Sequence, residues 1–179
     1  MEYLDILDNK GNKTGETKSY EEAHEKGHIH KAVHVWIMNS NREILIQKRQ
    51  KNKKAYPGYW DISAAGHISA GQTSLEAAQR ETEEELGINF PESDFKYLFS
   101  LEEHIILNNG TYINNEFQDI FLVKEDINIS DIKLTDGEVE AVKFLSIEDF
   151  KKWIEGDGEG EPVVPHEEEY RLLLNYISK

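Results

Sequence analysis

The 179 residues contain no cysteine. That absence removes a disulfide framework, thiolate-ligated zinc and a cysteine nucleophile in one step. No apolar run approaches the ~18 residues of a membrane span. The opening MEYLDILDNKGNK lacks a basic segment followed by an apolar one, so a secretory signal is not expected and the cytoplasm is the expected compartment. Positive charge is scarce: 20 Lys plus Arg stand against 35 Asp plus Glu, a net charge of −15. General nucleic-acid binding needs a positive footprint and is therefore not expected. No repeat and no long Pro- or Ser-rich linker divides the chain. What remains is the length and aromatic content of one soluble domain, residues 1–179, with 3 Trp, 8 Tyr and 7 Phe to fill a core.

The elements alternate irregularly. Strands are expected at Tyr3–Leu7, Ala32–Met38, Glu43–Gln47, near Lys96–Leu101, Glu116–Val123 and Val139–Leu145. The second and third of these, with NSNR between them, read as a hairpin, and Asp61–Ala65 reads as a short extended piece. DNKGNKTG after the first strand is turn chemistry. Ser19-Tyr20-Glu21-Glu22 opens a short helix; Ile147–Trp153 and Glu167–Ser178 read as helical, with GDGEGEPVVP at 156–165 as a loop. Strands mixed with a few helices, without regular βαβ alternation, predict an α/β sandwich.

The most informative stretch is Gly66–Ile88, GHISAGQTSLEAAQRETEEELGI. Thr73-x-x-Glu76 is a capping box, which starts a helix near Ser74. Gly87 suits the left-handed position just past its end. The last turns then carry Glu81, Glu83, Glu84 and Glu85 at the negative end of the helix dipole, each placement costing roughly 0.3–1 kcal/mol. Glu81, Glu84 and Glu85 share a face at i, i+3 and i+4, with Arg80 one turn before Glu84. One reading is a solvated acidic face; the other is an oxygen-rich site for Mg²⁺ or Mn²⁺.

The same residues resemble the Nudix box, G-x5-E-x7-R-E-U-x-E-E-x-G-U with U aliphatic. Gly66, Arg80, Glu81, Glu84, Glu85, Gly87 and Ile88 are in register, seven of the nine defined positions. At average residue usage, such a match arises roughly once in a few million starts. Gln72 stands where the family has Glu, and Thr82 where it has an aliphatic. The resemblance implies an α/β/α sandwich with a mixed sheet, its core at about 28–153, an N-terminal strand and helix extension over 1–27, and a C-terminal loop and helix over 154–179. It also implies metal-dependent hydrolysis of a small-molecule diphosphate, such as a nucleoside diphosphate linked to another group. Glu81 and Glu85 match the usual ligands, with Glu84 beside them and the Gly66 carbonyl as a backbone ligand. Arg80 supports them. Glu81, Glu84 or a later carboxylate would take the proton from water; Glu116 is the first candidate outside the box and Glu138 the second, both placed near expected strand ends.

Five basic residues in seven, Lys48 to Lys54, precede the box and suit the oxygens of a diphosphate. QKRQKNKKAYPGYW resembles the basic segment of the type I isopentenyl-diphosphate isomerases, a branch of the same superfamily, with Arg49 and Lys53 at phosphate-binding positions. His30, His67 and Glu116 match that enzyme's second metal site; His24 and Asn114 fall near further ligand positions, while His28 and His34 carry less weight. Those isomerases place a Cys where Ala65 stands here, and protonating an unactivated alkene needs such an acid. The expectation is thus a Mg²⁺-dependent hydrolase on an isomerase-like frame. A prenyl-diphosphate enzyme and a non-catalytic diphosphate sensor are the alternatives, Gln72 favouring the latter. Trp36, Tyr56, Trp60 and Tyr112 stack a base or fill the core, Trp36 with its strand position being a core residue. If the chain associates, a homodimer is the commonest form.

Overall fold

A computed structural model describes residues 1–135, 137–157 and 160–178. Strands β1 (Tyr3–Leu7) and β2 (Lys13–Ser19) form an antiparallel pair, followed by α1 (Tyr20–Lys26). The main sheet contains β3 (His30–Met38), β4 (Glu43–Arg49), β5 (Trp60–Asp61), β6 (Ala64–His67), β7 (Lys96–Leu107), β8 (Tyr112–Lys124) and β9 (Val139–Ser146). Its spine runs β5-β4-β3-β8-β7, with β6 also on β3 and β9 also on β4. The β3–β8 pair is parallel and the others are antiparallel. Helix α2 (Ser74–Leu86) covers one face; α3 (Ile147–Lys152) and α4 (Glu167–Ile177) cover the other. This is the expected α/β/α sandwich with a mixed sheet.

Strand alternation builds its two cores. Val33, Val35 and Ile37 of β3 face Ala77, Ala78 and Leu86 of α2. Trp36 and Met38, one residue out of phase, join Phe150, Tyr170, Leu173 and Ile177 on the opposite side. Trp36 is core, as expected, and so is Trp60. The C-terminal helix thus closes the second core, its buried residues following the 3.6-residue period.

Several elements differ from the sequence reading. The hairpin of β3 with β4 closes only at Met38↔Ile44. Below it, the Ser63 hydroxyl accepts from Ile37 N at 2.9 Å and donates to Leu45 O at 2.6 Å. Ser63 wedges the strands apart, and the expected extended piece 61–65 splits around it into β5 on β4 and β6 on β3. Strand β2 begins inside the segment read as a turn. Its sequence, KTGETKS, has no apolar side chain to signal it, and backbone pairing with β1 holds it at the surface. Strands β7 and β8 run on as a long arm to a turn at Asn108-Asn109-Gly110, all three at positive φ. Glu116 therefore lies within β8 and not near its end. Glu138, by contrast, does immediately precede β9. Of the loop read at 156–165, residues 158 and 159 lie outside the described residues, and Gly156 and Asp157 finish a helical turn. Among the described residues, no helix is long and apolar enough to cross a membrane.

Candidate functional site

The wedge at Ser63 opens one large cavity, about 770 Å³ in volume, between the splayed strands, α2 and the β7–β8 arm. Gly66, Arg80, Glu81, Glu84, Glu85, Arg49, Lys53, His67, Asn114, Glu116 and Glu138 line it, while His30 lies just behind Glu116 and His67, and His24 and His28 do not line it.

The acidic wall comes from α2. The capping box forms, with Thr73 accepting from Glu76 N and the Glu76 side chain returning to Thr73 N, and Gly87 ends the helix at φ +68°. Glu81 and Glu85 are buried, while Glu84 is exposed at the rim. Glu85 Oε2 accepts from Gln47 Nε2 at 2.8 Å and Ala65 N at 3.0 Å. Glu81 lies flat against Gly66, where a Cβ would fall inside its carboxylate, so only glycine fits. Arg80 is the shared brace: Nη1 reaches Glu81 Oε1 at 2.7 Å and Glu84 Oε2 at 2.9 Å, and Nη2 donates to His67 O at 2.7 Å. One cation thus serves two carboxylates, with the Glu85 charge close by. Burial pushes the Glu81 carboxyl up to about 8; Arg80 offsets part of this, and the Glu85 and Glu84 charges add to it. Burial raises Glu85 too, against the pull of its two N–H donors.

The two departures from the box are accommodated. Gln72 Oε1 accepts from Ser69 N at 3.3 Å and lies 3.4 Å from Arg80 Nε, an acceptor in the place of the missing carboxylate. Buried Thr82 returns its hydroxyl to Ala78 O at 2.8 Å.

The basic stretch divides by strand parity. Arg49 of β4 lines the cavity and Gln47 reaches Glu85 on the same side, whereas Lys48 between them faces Glu161 and the Trp60 ring. Arg49 Nη1 donates to Asp61 Oδ2 at 2.9 Å and Nε to Ala55 O at 3.1 Å. Lys53 reaches the cavity paired with Glu138; its burial lowers the ammonium pKa, with the Glu85 charge opposing. Lys54 covers the Tyr20 ring.

A histidine cluster forms the third wall. One ligand atom each of His24, His30, His67 and Glu116 lies within 4.8 Å of all the others. His30 Nε2 and His67 Nε2 stand 3.3 and 3.1 Å from Glu116 Oε1, yet both lack a hydrogen bond of proper geometry and are shut off from solvent. His24 Nδ1 donates to Tyr20 O at 2.8 Å and His30 Nδ1 to His28 O at 2.9 Å. These bonds turn each Nε2 inward, the arrangement by which backbone carbonyls orient metal-binding imidazoles. His24 Nε2 faces Asn114 Oδ1 at 3.1 Å. Burial, with His67 and His30 nearby, lowers His24 to about 4, so its ring is neutral at pH 7. Burial alone would raise Glu116, but the imidazoles of His30 and His67 hold it well below the usual carboxylate range. Such a group is a poor proton acceptor and a good ligand. Asn114, Glu116 and Gln118 point inward together because they alternate along β8.

The fourth wall holds residues that the sequence reading missed. Buried Asp61 pairs with half-buried His166, whose Nε2 is 3.1 Å from Asp61 Oδ1. Beside them, His34 Nδ1 donates to Glu169 Oε2 at 2.7 Å, and Trp36 Nε1 to Glu169 Oε1 at 2.7 Å. His166 and Glu169 sit in PHEEEY, where three consecutive acids look like an ordinary solvated first turn. The amphipathic period of Tyr170, Leu173 and Ile177, extended backward, was the available signal for Glu169.

The NUDIX domain model matches residues 28–165. The chain belongs to the Nudix family. Nudix hydrolase 3 of Arabidopsis thaliana is 41% identical over 181 residues, covering 98% of this chain, which spans 23% of that longer protein. Isopentenyl-diphosphate Delta-isomerase 1 of Photorhabdus laumondii is 31% identical over 161 residues, covering 89% of this chain and 88% of that one. Relatives of this Nudix protein thus include both hydrolases and type I isomerases. A crystal structure from Deinococcus radiodurans shares the fold, with a TM-score of 0.74 at 18% identity over 99% of this chain and 100% of that one.

Proposed function

We propose that this Nudix protein is a Mg²⁺-dependent hydrolase, with Mn²⁺ as substitute, that cleaves the diphosphate linkage of a nucleoside diphosphate-X or similar small molecule. The observation that carries this reading is the excess of carboxylate over cation on α2, directly across one cavity from Arg49 and Lys53. Glu81 and Glu85, with Glu84 and the Gly66 carbonyl, would hold the ion, a hard oxygen donor set that suits Mg²⁺. The raised Glu81 and Glu85 pKa values support the fit, since buried carboxylates short of counter-charge gain most from a cation. A divalent cation there supplies Lewis acidity toward both the diphosphate and water.

The remaining work falls to side chains. Arg49 and Lys53 bind non-bridging oxygens and orient the diphosphate. Arg80 holds Glu81 and Glu84 in place. Glu84, exposed at the rim, is the carboxylate best placed to accept a proton from attacking water. Water adds to phosphorus, the bridging P–O bond breaks, and the leaving phosphate or phosphoryl-X departs with the electron pair. Glu116, held by His30 and His67, serves with them and His24 as a second metal site, not as the base.

The histidine cluster also favours a second reading, an isomerase-like enzyme of prenyl diphosphates. Ala65 offers no acid beside Gly66 and His67, so the hydrolase stands first. The deciding experiment incubates nucleoside triphosphates, nucleotide sugars, dinucleotides, coenzyme A, thiamine diphosphate and isopentenyl diphosphate with and without Mg²⁺, followed by chromatography. Metal-dependent cleavage of one class supports the hydrolase. Isomerisation of isopentenyl diphosphate, with solvent deuterium entering the alkene, would replace it with the second reading. An untouched panel would leave a diphosphate-binding sensor.

A further inference from the structure

Two of the three nitrogens of the Arg49 guanidinium are held. Nη1 bonds Asp61 Oδ2 at 2.9 Å and Nε bonds Ala55 O at 3.1 Å, while among the described residues nothing bonds Nη2, and the side chain lines the cavity. A buried aspartate beside an arginine ordinarily accepts two parallel N–H bonds, fork to fork. Asp61 cannot. Its Oδ1 is already taken by His166 Nε2 at 3.1 Å and by Ile62 N at 2.8 Å. His166 comes from the segment leading into α4, one residue beyond the stretch matched to the family.

We infer that His166 is a positioning residue for substrate binding: by occupying Asp61 Oδ1 it keeps Arg49 bonded to Asp61 through Nη1 alone, leaving Nη2 for the diphosphate. The inference rests on the proposal that Arg49 binds that group. The surroundings of His166 make it a durable donor. Asp61 Oδ1 lies on Nε2, Glu103 Oε1 is 3.7 Å from Nδ1, and the His34 ring, itself bonded to Glu169, is 5.0 Å away. Burial would lower the His166 pKa, but Asp61 and Glu103 hold it well above its ordinary value. Asp61 is held low by His166 and Arg49 despite its burial. Removing the imidazole leaves Asp61 Oδ1 with Ile62 N as its one remaining donor and frees an acceptor position for Arg49 Nη2, whose neighbour Nη1 already bonds the other oxygen. The C-terminal helix thereby becomes part of the binding machinery and not merely a cover for the core.

The probe is methylenediphosphonate, whose P–C–P link resists hydrolysis, titrated calorimetrically in the presence of Mg²⁺. His166→Ala is expected to weaken binding about tenfold and to raise KM for a cleaved panel compound similarly, with kcat within about twofold; tenfold corresponds to ~1.4 kcal/mol. His166→Gln, whose amide reaches as far as Nε2, restores most of the affinity. In an Arg49→Ala background, His166→Ala has no further effect. Should His166→Ala not fold, His166→Asn takes its place, with an amide too short to reach Asp61. Unchanged affinity in the folded variant, or equal losses with and without Arg49, overturns the inference and leaves the hydrolase proposal intact. Binding by the wild type without turnover of any panel compound overturns the hydrolase proposal alone. No binding by the wild type overturns both the phosphate role of Arg49 and this inference.

Discussion

Glu81 and Asp61 are both buried carboxylates on the same cavity, and they are built in opposite ways. Asp61 has a cation on each oxygen, Arg49 and His166, and its pKa is depressed. Glu81 shares the single Arg80 with Glu84, has Glu85 nearby, and its pKa is raised to about 8. A protein that gained nothing from this imbalance would lose stability for no return. The paired region is balanced in charge as it stands; the acidic region carries the deficit of positive charge that the proposed cation would fill. That distinction separates ion-pair architecture from a binding site more sharply than the number of acids does.

The largest expected effect is on turnover. Glu85→Gln should cost at least about a hundredfold in kcat/KM through lost metal, while the protein stays folded, since Gln keeps the acceptor for Gln47 and Ala65. Full Mg²⁺-dependent activity in both Glu85→Gln and Glu81→Gln would show that the acidic region holds no metal. Next in size is the paired region. Glu169→Gln breaks a buried pair with His34 and should cost about 3–5 kcal/mol, lowering Tm by roughly 10 °C. Glu81→Gln should instead leave the metal-free Tm level or raise it. Equal losses in the two variants would erase the contrast.

A third effect is in pH. The folded Glu81 pKa, about 8, lies above its ordinary value of 4.5. The folded chain therefore holds a proton that the unfolded chain has released, and stability falls as pH rises from about 4.5 to about 8. In metal-free protein, the Tm of the wild type should drop relative to that of Glu81→Gln by at least about 4 °C across that window, and saturating Mg²⁺ should restore it. A constant difference between the two proteins, measured by thermal melts in chelator at several pH values, would contradict the raised pKa.

How much of this the sequence carried follows the same division. The acidic helix was legible because capping, dipole and i, i+3, i+4 spacing are local, and Thr73, Glu76, Glu81, Glu85 and Gly87 all lie within fifteen residues. The sandwich was legible from the β-branched runs of β3 and β4 and from strands mixed with a few helices in no regular order. Strand β2 was not, having no apolar face. Nor was the wedge at Ser63, since nothing local marks a serine as the residue that parts two strands. The paired region was least legible of all. Asp61 and His166 are 105 positions apart and His34 and Glu169 are 135 apart. Each looks ordinary where it stands, and only the closing of α4 over the sheet brings them together.

The smallest effect concerns Gln72, the neutral residue in the carboxylate position of the box. Its Oε1 already sits 3.4 Å from Arg80 Nε. Gln72→Glu would convert that contact to a charged pair, but Arg80 is a quarter exposed, so the gain is about 1 kcal/mol or less. A third carboxylate around one guanidinium also adds repulsion toward Glu81 and Glu84. The two terms oppose, and the metal-free Tm should move by under about 3 °C, with Mg²⁺ affinity, followed by titration calorimetry, rising by less than tenfold. A larger rise would mean that residue 72 contributes to the ion directly, and that the present chain holds its metal with one ligand fewer than its relatives with Glu there. An unchanged affinity would mean that position 72 acts through Arg80 alone, a task that an amide oxygen performs as well as a carboxylate.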